Sequence, residues 1–150
     1  MRTPTEVAPD AAAFAVLYTQ VQQFYAHQMQ LFDGGAAQQW ARTFTEDAVF
    51  DVPASAGPVH GRAALAASLD AAAARAARTG VRYRHVMGMP DVAQRPDGGW
   101  DVRSYTIVHA STIGGVSRVH RVCVCEDVLV CGADGRLLVS HRRVTRDDLP

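Results

Sequence analysis

An α+β fold is predicted by three features of this 150-residue sequence: a cone-like curved antiparallel sheet with three helices packed across it, enclosing an apolar cavity. The first half places apolar residues at helical spacing. The second half changes to runs rich in Val, Ile, Tyr and Thr with partial period-two alternation. The segments between those runs are Pro96-Asp97-Gly98-Gly99, Gly114-Gly115 and Ala133-Asp134-Gly135, all suited to hairpins. Helices followed by a strand meander make an α+β domain. A long sheet curls as it twists, and helices laid across its concave side leave a hollow for a small ligand.

Each element follows from local chemistry. Residues 1–9, with Pro4 and Pro9, read as a flexible leader, and residues 10–150 as one domain. Asp10 is a suitable N-cap. Phe14, Leu17, Val21, Phe24/Tyr25 and Leu31/Phe32 then recur at helical spacing, predicting a helix over about 10–32 that stops at Asp33-Gly34-Gly35. A second short helix, about 36–44, puts Trp40 and Phe44 on one face. Ala48–Pro53 reads as a strand closed by proline, Ser55–Pro58 as a turn and Val59-His60 as a brief strand. Gly61–Arg78 has high alanine propensity and ends at Thr79-Gly80. Four long strands complete the chain: Val81–Met89, Gly99–Ile113, Val116–Val130 and Arg136–Arg146.

Composition removes several function classes. Fifteen acidic residues balance fifteen basic ones, so no charge excess favours nucleic acid. No run approaches the ~20 apolar residues of a membrane span, and the first residues carry no apolar signal core. A cytoplasmic protein is expected. Every basic residue is Arg, which excludes lysine Schiff bases and lysine-dependent phosphate loops. Gly-x-Gly-x-x-Gly, Gly-x-Ser-x-Gly and His-Glu-x-x-His are absent from the sequence. Cys123, Cys125 and Cys131 lack zinc-like spacing and read as reduced, packed thiols, so no metal is expected.

What remains is acid–base chemistry. Period two puts Val81, Tyr83, His85, Met87 and Met89 on one face of the first long strand, with Arg82 and Arg84 on the other. Tyr105, Ile107 and His109 share a face of the next strand. A hairpin centred on residues 96–98 sets His85 opposite His109 and directs both into the hollow. Asp33, at the end of the first helix, can project a carboxylate towards them. A carboxylate bonded to one imidazole nitrogen fixes the tautomer and leaves the other nitrogen as the better base. The plainer alternatives are a turn-forming Asp33 and histidines satisfied within the core. Tyr83 and Tyr105 are candidate phenol donors to a substrate carbonyl, or else aromatics packed in the wall. Arg142 or Arg143 is expected to tie to a carboxylate such as Asp47 or Asp127. His27, His60, His120 and His141 are weaker candidates.

The order of elements resembles the nuclear-transport-factor-2-like cone fold. The local matches resemble its SnoaL-like group: Phe32-Asp33-Gly34, Trp40, Phe44, Glu46-Asp47-Ala48-Val49-Phe50, His60-Gly61-Arg62, Arg84-His85, Asp134-Gly135 and His141-Arg142-Arg143-Val144. That group comprises cyclases, dehydratases and isomerases. The resemblance implies a scytalone-dehydratase-like site in which Asp33, His85 and His109 are catalytic. Two tyrosines that hold a water in that arrangement fall on Phe32 and Val52 here, a departure from the pattern. Phe32, Val52, Met87, Tyr83 and Tyr105 are the expected substrate-binding residues. The expected activity is a cofactor-independent dehydratase acting on a small cyclic, polyketide-like and aromatic substrate. Cyclisation or isomerisation is the alternative within enzymes, and a ligand-binding or assembly module, such as a ring-hydroxylating dioxygenase small subunit, the alternative outside them. Neither a nucleic acid nor a membrane partner is expected. The Val- and Ile-rich outer strand faces predict a homodimer.

Overall fold

The computed structural model describes residues 10–53 and 56–150, so the predicted leader and Ser55 of the predicted turn lie outside the described residues. Helix α1 spans Ala11–Asp33, and Asp10 caps it by accepting the Ala13 N–H at 2.9 Å. Helix α2 (Ala37–Ala41) is shorter than its spacing suggests, because strand β1 (Phe44–Asp51) begins at Phe44. The backbone there is captured from outside: Val139 N–H donates to the Thr43 carbonyl at 3.0 Å. Sheet pairing overrides the local helical pattern, and Trp40 and Phe44 end on different elements with ring centroids 4.9 Å apart. Strand β2 (Val59–His60) leads into α3 (Gly61–Thr79), which ends where Gly80 turns left-handed at φ 66°.

Strands β3 (Val81–Gln94), β4 (Trp100–Thr112), β5 (Ser117–Cys131) and β6 (Leu137–Arg146) form the expected antiparallel meander. The sheet order is β2-β1-β6-β5-β4-β3, and β1 joins β6 in parallel, so the curved open sheet is mixed rather than wholly antiparallel. No hairpin links β1 to β6, and nothing local dictates their relative direction. The core lies between the concave face and the helices. Val21, Trp40, Phe44, Leu65, Leu129 and Val139 are at most 1% exposed. Among the described residues no helix is long and apolar enough to cross a membrane.

One irregularity decides the site. Next to the β3–β4 turn the pairing is the expected one, with Val92 opposite Val102 and Gln94 opposite Trp100. Between Gly88 and Asp91 the register shifts, and Met89 adopts φ 54°, a conformation that costs a non-glycine residue energy. Beyond that bulge Arg84, not His85, lies opposite His109, and His85 faces Val108. A one-residue slip exchanges the two faces of a strand. Val92 faces inward before the bulge, and His85 and Met87 face inward after it. Met89 itself leaves the predicted inner face and is 77% exposed.

Candidate active site

Asp33 is the last residue of α1, where the helix dipole presents its negative end and a carboxylate is locally unfavourable. The position is stabilised by β3. His85 Nδ1 lies 2.6 Å from Asp33 Oδ1, and the His85 backbone N–H donates to Asp33 Oδ2 at 2.8 Å. An ionised carboxylate only accepts, so Nδ1–H is the donor to it, and in the neutral ring the lone pair is then on Nε2. Phe32 packs edge-on against the His85 ring at 4.8 Å, and Trp40 against Phe32 at 5.0 Å. Trp40 in turn meets Phe44 and Phe50, so edge-to-face contacts connect the imidazole to the buried core.

His85 borders a cavity of about 340 Å³ enclosed by Phe32, Trp40, Phe50, Val52, Met87 and Val108 on its apolar sides. It also borders a hollow of about 500 Å³ at the α1–β3 seam, which Asp33, Arg84 and Met89 line. At the floor of the cavity, Arg142 donates to Asp127 through Nε at 2.8 Å and Nη2 at 2.6 Å, and to Gln28 Oε1 at 2.7 Å. Tyr25 donates to the same carboxylate at 2.8 Å. This is the arginine–carboxylate tie expected for Arg142, and the sheet register sets it opposite Asp127. Burial opposes the Arg142 charge, but the Asp127 carboxylate outweighs it and holds the guanidinium well above its ordinary range. Burial, then Asp127, holds the Tyr25 phenol well above its own.

Two polar atoms on cavity-lining residues have no hydrogen-bond partner among the described residues: Trp40 Nε1 and Thr106 Oγ1. Buried polar groups are rarely left unmatched, but both atoms are shielded from the cavity itself, so neither reaches a ligand without a side-chain movement. Thr106 was not singled out in the sequence. Strict alternation along β4 puts it on the face opposite Tyr105, and that face proves to be the inner one.

The structure brings together Asp33, His85, Phe32, Val52 and Met87, the last four on the cavity wall. It corrects the placement of two others. His109 lies on the outer face of β4, because the β3 bulge turns His85 inward without turning β4. Tyr105 shares that outer face, 48% exposed, with the Arg103 guanidinium 5.8 Å from its ring centre. Tyr83 is on the His85 side of β3 but packs against His120, ring centroids 5.3 Å apart, and is not among the residues lining the cavity. Cys123 and Cys125 also face inward, and burial pushes the Cys125 thiol up to about 12, which suits packing rather than nucleophilic chemistry.

A SnoaL-like domain family model matches residues 15–143. ActVI-ORFA from Streptomyces coelicolor is 34% identical, with a TM-score of 0.85 over 91% of this chain and 98% of that one. A protein from Catenulispora acidiphila, solved in complex with S-DNPA, is 37% identical, with a TM-score of 0.79 over 89% of this chain and 96% of that one. A putative scytalone dehydratase from Novosphingobium aromaticivorans is 15% identical, with a TM-score of 0.73 over 91% and 88% of the two chains, a likeness of fold alone. None of the curated proteins matches significantly. With a family model covering most of its length and relatives above 30% identity along nearly all of it, the chain belongs to the SnoaL-like domain family.

Proposed function

We propose that this protein is a cofactor-independent dehydratase of a cyclic polyketide-type intermediate, with His85 as base and then acid and Asp33 as its positioning residue. The observation that carries this reading is the 2.6 Å contact between Asp33 and His85 at the wall of a half-open, mostly apolar cavity. His85 Nε2 takes a proton from the carbon next to a substrate carbonyl. The carbon–oxygen bond to the adjacent hydroxyl then breaks as the new double bond forms. The imidazolium returns its proton to the departing hydroxyl, which leaves as water. No electron transfer occurs, so the reaction calls for no cofactor.

Family membership supports the reading at a coarser level, since SnoaL-like proteins are typically polyketide cyclases and dehydratases. Cyclisation or isomerisation would use the same base on a different ring. A purely ligand-binding module has no need of a carboxylate held at a helix end against its dipole to orient one imidazole. The test is incubation with a panel of hydroxylated polyketide intermediates, read by mass spectrometry. Loss of one water that disappears with His85→Ala is the expected result. Unchanged mass with altered retention would replace dehydration by isomerisation or ring closure.

A further inference from the structure

We propose that the substrate of this cavity is a carboxylic acid, and that Arg121 on the cavity rim receives its carboxylate. This rests on the reading of the cavity as the catalytic one. Three arginines line the cavity, Arg121, Arg142 and Arg146, and no Asp or Glu lines it among the described residues. Two of the three are already matched. Arg142 is buried at the floor with Asp127 bound through two nitrogens, and a second anion there would leave two carboxylates on one buried cation. Arg146 donates to both oxygens of Asp148, at 2.9 and 2.6 Å. Arg121 has no ion pair or hydrogen bond through its guanidinium among the described residues.

The sheet explains how Arg121 reaches the rim. Its strand carries a second irregularity, where the β4–β5 register shifts between Val108 and His109. The extra residue is His120, and beyond it Arg121 lies opposite Val108, on the inner face. Val108 is also the partner of His85, so His85, Val108 and Arg121 form one cross-strand row. Strands lie ~4.8 Å apart, which separates the two backbone positions by about 10 Å. A ring system seated against Phe32, Trp40 and Phe50 can thus present a proton to His85 while a carboxylate at its edge meets the guanidinium. A planar pair of N–H groups matches a carboxylate.

The local potential agrees with this assignment. The His120 imidazole, next to Arg121, is held below its ordinary value by burial first and then by Arg121, Arg118 and Arg146. Asp148 acts the other way but is paired with Arg146, whereas Arg121 and Arg118 have no ion pair among the described residues.

The test is binding rather than turnover, so it stands apart from the dehydratase assignment. Binding of 2-naphthylacetate and of its uncharged methyl ester is measured by isothermal titration calorimetry, using wild type, Arg121→Gln, His85→Ala and, as a control, Arg136→Gln in the β5–β6 turn. The acid is expected to bind wild type about tenfold more tightly than the ester, the range of a charge-assisted hydrogen bond. The preference should shrink as salt is raised, vanish in Arg121→Gln with ester affinity unchanged, and persist in His85→Ala and Arg136→Gln. Equal binding of acid and ester by wild type overturns the proposal. So does a preference that survives Arg121→Gln, or no saturable binding of the acid. If the preference behaves as expected while no substrate loses water, the carboxylate site stands and the dehydration reading falls.

Discussion

Asp33 and His85 act as one unit, because the carboxylate holds both the ring and the backbone of the same residue. His85→Ala is expected to lower turnover by about a hundredfold or more, the scale of a lost general base. Asp33→Asn should cost a similar factor, because an amide can offer its N–H where Nδ1–H must donate and so favours the wrong tautomer. With His85 already removed, Asp33→Asn should cost little more, since its task is to orient that ring. His109→Ala on the outer face should leave activity near wild type. Steady-state rates of the four variants check this, and multiplicative losses for Asp33 and His85 would show that the two residues work separately. The half of the pair on α1 was legible in the sequence, because a helix stop at Asp33-Gly34-Gly35 is local chemistry. His109 was assigned to the cavity from a turn centre, and that inference failed at a feature no period-two pattern reveals.

That feature is the bulge in β3. The turn between β3 and β4 fixes the register that turn chemistry implies, and Val92 pairs with Val102 accordingly. Met89, at φ 54°, then spends one extra residue and reverses which face of β3 looks inward. Pro90 beside it cannot donate to a ladder, which an edge strand tolerates. The sequence held hints in Gly88 and Pro90, but Gly and Pro mark a break without giving its direction. Deleting Met89 should therefore remove the extra residue and close the ladder, with Pro90 opposite Ser104, Gly88 still opposite Tyr105 and His85 still opposite Val108, so that activity is kept. Met89→Gly, which suits the positive φ, should also keep activity, whereas Met89→Val, which disfavours the bulge while keeping the residue, should lower it by favouring the register that turns His85 outward. The three variants are compared by turnover and by thermal unfolding. A deletion variant that folds but falls to the level of His85→Ala would show that Met89 is not the extra residue that sets the direction of His85. The β5 irregularity at His120 does for Arg121 what Met89 does for His85, so both inward groups at the rim depend on single added residues.

At the scale of the whole molecule, the concave side of the sheet is filled by helices and cavity, and the convex side has no covering element among the described residues. Val86, Ile107 and Val122 form one cross-strand row there, 54%, 37% and 39% exposed, with Tyr105 and Val119 beside them at 48% and 57%. Contiguous apolar rows of this kind are uncommon on faces that remain in water. The central strands also lack a local reason for such residues outside: alternation should put polar side chains there, as it puts Arg103 and Glu126 two rows further along. A second copy related by a two-fold axis would bring the same apolar row against itself and leave the charged residues at the rim. We therefore expect a homodimer through the outer faces of β3, β4 and β5. Light scattering at micromolar concentration should give twice the 16.2 kDa chain mass, and the paired substitution Ile107→Glu and Val122→Lys should return it to the monomer. Opposite charges are chosen so that the net charge is unchanged and loss of the dimer reports lost apolar contact. Because Asp33, His85 and Arg121 all lie on the other side of the sheet, the monomeric variant should bind the naphthyl acid as wild type does. A monomeric wild type, or a dimer indifferent to both substitutions, would place the self-association elsewhere or remove it.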